Sequence, residues 1–370
     1  SRRNLEHSEA GWRHSGVPTR IVSEISLMTT TAQHTTIRLT YNRTVGVAAM
    51  QGRGFYYPWS CAVAADGRYF VLGRGADADP RGVRMTVMNL EEEYFGTFGS
   101  FGEGAGQAIW NASTAIDSQQ RLFTSDDHLN RIMVRTLEGE LLDAWGESGT
   151  DDGKLNGPNG LAFNSSDELL ISDHLNGRIQ KFTSDGKHLA TIGEFGSDDG
   201  QLNLPWGLHV DDDDNLFVAD WGNDRIVKFS SNGEFVTNYG SAGRDDGEFD
   251  APSDVCVDSD GYMYIADWGN QRIQVLDADG AFVQQDRGQA TISKWAQDFL
   301  DTNVEESSAR DASNLDLDLE FNTDDPHERS AHIEKLFWGP TSITFDHAGH
   351  LLVVDSNRHR LQVFDISGSD

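Results

Sequence analysis

The chain has 370 residues, with 60 Asp and Glu against 29 Lys and Arg, a formal net charge of −31 at pH 7. A surface so acidic repels phosphate backbones, which excludes nucleic acid and anionic membrane as partners but is compatible with a cation or a basic protein. Hydrophobic residues make up 37 %, and no apolar run approaches the ~18 residues of a membrane-spanning helix, so the chain reads as soluble, with no membrane insertion.

Residues 1–34 carry charges and Ser/Thr but no apolar core segment. They predict a flexible tail without a secretory signal, which favours a cytoplasmic location. The chain begins at Ser1 rather than Met, which leaves room for an upstream segment. Residues 35–370 read as one domain, because a single repeat runs through them. Its first alternating segment, Ile37–Val45, predicts a strand.

The repeat is marked three times over. Asn111, Pro158, Pro205 and Pro252 are spaced by 47 residues, as are Asp126, Asp173, Asp220 and Asp267, and again Arg131, Arg178, Arg225 and Arg272. An earlier copy starts at Pro58, with Gly73 in the Asp slot, Arg84 in the Arg slot and about six extra residues within Gly73–Gly82. A last copy, Pro340 with Asp355 and Arg360, is displaced by 88 residues because an insert, 288–337, precedes it.

Each copy predicts four strands, named a to d here. In the fourth they are Gly207–Val210, Leu216–Ala219, Ile226–Phe229 and Phe235–Tyr239, joined by turns at Asp211–Asn215, Trp221–Asp224 and Ser231–Gly233. Six such copies predict an all-β, six-bladed β-propeller with four-stranded antiparallel blades. The last copy ends soon after strand c, Leu361–Phe364, so Ile37–Val45 is expected to supply its d strand and close the ring.

Within the insert, Ile292, Trp295, Ala296, Phe299 and Leu300 recur at the spacing of an amphipathic helix. A second helix is expected around Glu328–Phe337, with an acidic, extended stretch Asn314–Asp325 between them. In an up-and-down blade the b–c turns and d–a connections share one face. The insert and Arg74–Gly82 therefore rise from the same face, and the insert is expected to cap it, with Trp295 and Phe299 as cap residues.

The stretches LPWGLHVDDDDNLFVADWGNDRIVKF and APSDVCVDSDGYMYIADWGNQRIQVL resemble NHL repeats, with a Pro-x-Gly opening and an Asp-x-x-Asn-x-Arg-Ile signature. The resemblance implies a propeller and no single activity, since that family spans scaffolds, RNA-binding domains and a few lyases. Peptidyl-hydroxyglycine amidating lyase resembles the chain in fold. That resemblance implies metal-binding His just after the motif Pro and four residues after the strand-b Asp. Here the first slot holds Trp59, Ala112, Asn159, Trp206, Ser253 and Thr341, and the second Asn130, Gly177, Asp224, Gln271 and His359. With one His remaining, a three-ligand zinc site is not carried over.

The repeated Asp and Arg read as blade-internal ties, because a group present in most blades holds blades together rather than acting once. Asp77 and Asp79 are weak candidates for calcium or another divalent cation, since their run lacks the distal Glu of a calcium loop. Cys61 and Cys256 fall on inner strands of different blades and read as packed thiols. His209 is a large side chain where other copies have Ala62, Ala115, Ala162, Cys256 and Thr344. His174, Trp221 and Trp268 share a b–c turn position, and with Trp59 and Trp206 they are expected to form an aromatic rim. No nucleophile elbow, phosphate loop or metal-spaced Cys/His cluster is present. The sequence thus favours a monomeric, non-enzymatic binding scaffold that recognises a protein or small ligand on the b–c face. The alternative is a cation-assisted lyase or hydrolase at the central channel.

Overall fold

Alternating apolar residues and Gly- or Asx-marked turns give each repeat four short strands. The computed structural model, which describes residues 37–76, 79–315 and 324–368, forms them into six four-stranded antiparallel blades. Blade 1 is Pro58–Val63, Tyr69–Ala76, Asp79–Met88 and Tyr94–Phe98. Blade 2 is Asn111–Ile116, Leu122–Asp126, Arg131–Arg135 and Leu141–Trp145. Blade 3 is Pro158–Phe163, Leu169–Asp173, Arg178–Phe182 and His188–Ile192. Blade 4 is Pro205–Val210, Leu216–Asp220, Arg225–Phe229 and Phe235–Tyr239. Blade 5 is Pro252–Val257, Met263–Asp267, Arg272–Leu276 and Phe282–Asp286. The six a strands neighbour one another in order around the axis.

Blade 6 draws on both ends of the described chain. Pro340–Phe345, Leu351–Asp355 and Arg360–Gly368 supply strands a to c, and Ile37–Val45 supplies d. The pairing is antiparallel, from Ile37 facing Gly368 to Val45 facing Leu361. The expected closure is therefore present, with a longer strand c than the sequence marked. Val45, Phe55, Cys61 and Val71 pack with Leu352, Val354 and Leu361 into one buried cluster across the seam of blades 6 and 1. The tail, residues 1–34, lies outside the described residues.

In blades 2 to 6 the repeated Asp closes the b–c turn, and blade 1 has Gly73 in its place. Asp173, fully buried, accepts from the Asn156 N–H at 2.6 Å, Asn176 Nδ2 at 2.9 Å, Arg178 Nε at 2.8 Å and Gln180 Nε2 at 2.9 Å. Asp220, Asp267 and Asp355 pair likewise with Arg225, Arg272 and Arg360 at 2.7–2.9 Å. The far end of each guanidinium reaches back to the preceding d–a connection, as Arg225 does to the Asp198 and Gln201 carbonyls at 3.0 and 2.8 Å. Blade 2 departs from the expected pair. Leu129 stands where Asn176, Asn223 and Asn270 stand, and Asp126 accepts from turn N–H groups while Arg131 bonds the Glu103, Gly104 and Gln107 carbonyls.

A second tie links neighbouring blades. The residue four after the Asp has a left-handed backbone, with φ of 54° at Asn130, Asp224 and Gln271, 55° at His359 and 63° at Gly177, and in every case but Gly177 it carries a side chain that makes the tie. Its side chain accepts the N–H just ahead of the next motif Pro: Asn130 from Gly157, Asp224 from Ala251, Gln271 from Gly339 and His359 Nδ1 from Tyr57, at 2.6–3.0 Å. His359, the sole His in the lyase-like slot, therefore closes the ring seam.

The insert forms three helices, α1 Lys294–Thr302, α2 Val304–Ala312 and α3 Pro326–His332. α1 matches the expected stripe, but it does not cap the b–c face. Its Lys294 and Trp295 N–H groups bond the Glu92 carboxylate at 3.0 and 2.8 Å, and the Trp295 indole N–H bonds the Glu92 carbonyl at 2.7 Å. Glu92 belongs to the c–d turn of blade 1, so α1 lies on the outer flank of the 6–1 seam. There Trp295 is 1 % exposed against Phe55 and Tyr94, whereas Phe299 is 51 % exposed. Neither is a cap residue. α2 was not marked by the sequence, because it has no apolar stripe; Glu305 and Glu306 favour its first turn, and Arg310 pairs with Glu334 at 2.6 Å. α3 starts earlier than expected, with Asp325 capping the His327 N–H at 3.0 Å and Pro326 in the first turn. It ends before Ile333, and the buried Phe337 is tied to the Arg287 carbonyl at 2.8 Å. Arg358, in the Asn slot of blade 6, holds α3 to the b–c face through the Ser330 and Ile333 carbonyls at 2.6 and 3.0 Å.

Two outcomes follow for stability. Asp220→Ala orphans the Asn203 N–H, Asn223 and Arg225 at once, and should cost about 1–3 kcal/mol in denaturant unfolding. A fully stable variant would contradict the tie. A chain lacking residues 1–46 should melt well below one lacking 1–34, since only the former loses strand d of blade 6; equal melting temperatures would refute closure by this strand.

Candidate functional site

Every a strand enters the ring at the b–c face, and the residue after its motif Pro (Asn111 in blade 2) lines the axis. Trp59, Ala112, Asn159, Trp206, Ser253 and Thr341 thus surround the b–c end of a central channel of about 240 Å³. Blades 1 and 4 stand opposite each other in a ring of six. Trp59 and Trp206 accordingly meet across the axis, ring centroids 6.0 Å apart and planes at 34°.

An outer ring surrounds this pair. It consists of the first b–c turn residue of each blade: Arg74, Asp127, His174, Trp221, Trp268 and Ser356. His174 meets Trp206 edge-on at 5.5 Å, and Trp221 lies 5.8 Å from Trp206. On the other side Arg74 lies over Trp59 at 4.5 Å and Trp110 at 5.0 Å, and pairs with Asp127 at 2.9 Å. Burial raises the Asp127 carboxyl above its ordinary range although Arg74 opposes the shift. Burial lowers the His174 imidazole, whose Nδ1–H donates to the Pro205 carbonyl at 3.1 Å.

The structure thus brings Trp59, His174, Trp206 and Trp221 together, and adds Arg74, Trp110 and Asp127, which the sequence reading passed over. Arg74 and Asp127 could have been found by aligning the residue after each strand-b Asp. Trp268 joins a separate group with the insert: it lies 6.4 Å from His327, whose Nε2 accepts from Trp338 Nε1 at 3.1 Å. His209 is not part of the rim. It sits at the other end of strand a, beside a cavity of about 680 Å³ that Asp211, Asp212, Asp258 and Asp260 also line. Burial lowers its imidazole to about 4, so it is neutral at pH 7.

Asp254 is the group that the sequence reading missed. It occupies the third position of strand a, where other blades have Ser60, Ser113, Gly160, Gly207 and Ser342. An acid in the Gly slot of the Pro-x-Gly opening was the available signal. Its Oδ1 accepts the Val255 N–H and its Oδ2 the Ile343 N–H, both at 3.0 Å, and burial raises the carboxyl to about 7 against these donors. Gly207 makes room for it, since a Cβ there would lie 2.1 Å from Oδ1. Cys61 and Cys256 are free and buried, and burial pushes the Cys61 thiol up to about 12.

Of the calcium candidates, Asp79 is engaged by Arg81 Nε at 2.7 Å, and Asp77 lies outside the described residues. The described extra residues of copy 1 extend the b–c hairpin, with Arg74 facing Val83 and Ala76 facing Asp79. Among the described residues no three His, Cys, Asp or Glu side chains are grouped to hold a metal, and no helix is long and apolar enough to cross a membrane.

Comparison with known proteins agrees with this architecture. The family model for the SMP-30/gluconolactonase/LRE-like region matches residues 115–244, and the NHL-repeat model matches 249–276 and 337–364. No curated protein sequence matches the chain significantly. Among solved structures, a Bacteroides thetaiotaomicron protein of unknown function aligns with a TM-score of 0.60 at 15 % identity, over 90 % of this chain and 76 % of its own. A gluconolactonase from Xanthomonas campestris aligns at 0.55 and 16 % identity, over 88 % of this chain and 98 % of its own. A catalytically inactive virginiamycin B lyase from Staphylococcus aureus with quinupristin aligns at 0.52 and 13 % identity, over 90 % of this chain and 88 % of its own. At these identities the likeness is one of fold.

Asp254 makes stability depend on pH. Its folded value of about 7 exceeds the ordinary 3.8, so the folded state binds this proton more tightly. The resulting stabilisation is full below about pH 4 and is lost as pH rises through about 7. Asp254→Asn should therefore gain roughly 1–3 kcal/mol on the wild type when urea unfolding at low ionic strength is compared at pH 8 with pH 4. An unchanged difference between the two pH values would show that the carboxyl is not held neutral by its site.

Proposed function

Because the chain is a six-bladed propeller carrying NHL repeats, we propose that it is a ligand-binding propeller with its site at the b–c mouth of the central channel. The observation that carries this reading is the Trp59–Trp206 pair across the axis, with His174, Trp221 and Arg74 around it. Indole faces supply large contact area at little conformational cost, and Arg74 with Asp127 adds a polar edge that fixes orientation. The ligand class is a small molecule with a planar apolar part. Ring closure leaves only the short outer d-strand edges unpaired, which favours a monomer.

An enzymatic reading uses the same mouth. It is favoured by Asp127, a carboxyl raised by burial beside Arg74, and by the likeness in fold to gluconolactonase and virginiamycin B lyase. Such an enzyme would open a lactone or ester-like ring, with Asp127 moving the proton and Arg74 steadying the charge that develops on oxygen.

A thermal-shift screen of aromatic compounds and lactones provides the test. Hits against the wild type should weaken by about tenfold or more in the Trp59→Ala/Trp206→Ala double variant, with its unliganded melting temperature little changed. Hits insensitive to both substitutions would remove the site from the mouth. Turnover of a lactone hit that falls in Asp127→Asn would select the enzyme over the binding module.

A further inference from the structure

The apolar stripe of α1 is only partly used at the seam. Trp295 is buried against Phe55 and Tyr94, yet Ile292 and Phe299, from the same stripe, are 44 % and 51 % exposed. They are not scattered surface residues. With Ala296, Leu300, Val47 and Ala48 they wall a cavity of about 280 Å³ between the insert and the link that follows the closing strand. Large apolar side chains left open along a concave wall mark a ligand site rather than a solvated face.

The lining also carries charge, and the charges do not balance. Arg310, Glu334, Arg358 and Arg360 belong to it. Arg310 is paired with Glu334 at 2.6 Å, and Arg360 with Asp355 at 2.8 Å. Arg358 has no carboxylate partner among the described residues. Its Nη2 donates to the Ser330 and Ile333 carbonyls, and the Trp338 ring, 5.3 Å away, orients the guanidinium without supplying a counter-charge. Of its two nitrogens that bond nothing, Nε is buried and Nη1 is not. Burial and the neighbouring Arg360 both oppose the charge on Arg358, while Asp355 and Glu334 favour it only through space. A half-buried guanidinium with an open donor beside an apolar wall is complementary to an anion with an apolar part.

We propose that this cavity binds a small organic acid, its carboxylate at Arg358 and its apolar tail along Ile292, Ala296, Phe299 and Leu300 of the α1 stripe. One unpaired guanidinium matches one negative charge, which selects a monocarboxylate over a polyphosphate. The volume is several times the ~30 Å³ share of one water, which suits a short tail rather than a long one. The net charge of −31 repels anions at long range, so the apolar wall has to supply much of the affinity. The cavity shares no lining residue with the central channel, and the inference stands apart from what the mouth binds.

Calorimetric titration of the full chain with hexanoate, acetate and hexanol tests this, at about pH 8, where a carboxylic acid is ionised. Hexanoate should give saturable one-site binding. Acetate, which lacks the tail, and hexanol, which lacks the charge, should each bind about tenfold more weakly or worse. Arg358→Gln keeps a donor for the α3 carbonyls and should bring hexanoate down to the level of hexanol. Ile292→Asp changes an exposed side chain ahead of the helix, so the melting temperature should hold while charge repulsion removes hexanoate binding. Absence of saturable heat from hexanoate overturns the proposal. So does acetate or hexanol binding as tightly as hexanoate, or hexanoate affinity undiminished in either variant. The Trp59→Ala/Trp206→Ala variant separates this site from the mouth. It should bind hexanoate as the wild type does, and loss of binding there would place the acid at the channel and overturn the proposal.

Discussion

The ring depends on a buried carboxylate at the end of strand b. An ionised Asp is tolerated in a protein interior only when its oxygens are met by several donors. Here Asp173, Asp220, Asp267 and Asp355 each collect a guanidinium and at least one backbone N–H. Each Arg in turn spends its remaining donors on the carbonyls of the connection leading into its own blade. One charge pair thus fixes a turn, a strand end and a loop together. In blades 3 to 6 that rigidity lets the first turn residue vary without loss of fold, as His174, Trp221, Trp268 and Ser356 do.

Much of this was legible in the sequence because the constraint repeats. Pro, Asp and Arg at one period expose the blades, and the missing d strand after Leu361 points to Ile37–Val45. Helix α1 was legible as a stripe, but its docking place was not. Periodicity says that Trp295 needs an apolar surface; it does not say that Glu92, a residue of a distant c–d turn, waits to receive the helix N-terminus. α2 escaped because its helicity rests on caps and charges rather than on apolar spacing.

The site was legible in pieces. The aromatic residues were visible as departures from small residues in aligned slots, but their grouping follows from blade number. Trp59 and Trp206 meet because blades 1 and 4 are opposite, while Trp268 is drawn toward the insert by His327 and Trp338. His209, a large side chain where other blades have small ones, belongs to the far end of the channel. Asp254 was overlooked because an acid in an acidic protein draws no notice until the slot it occupies, otherwise Gly or Ser, is seen to face the axis.

The d strand of blade 6 also has a temporal meaning. A ribosome makes Ile37–Val45 before any blade exists and makes its partner, Arg360–Gly368, at the end of the described chain. Blades 1 to 5 have their four strands contiguous in sequence, so each can form from local contacts as it emerges. Blade 6 alone must join segments from opposite ends, and it meets the loop-closure entropy of nearly the whole chain in a single late step. Until that step the two flanking blades expose unpaired apolar faces, so the interval between synthesis of blade 5 and capture of Ile37–Val45 is when this protein is most open to association with other nascent chains.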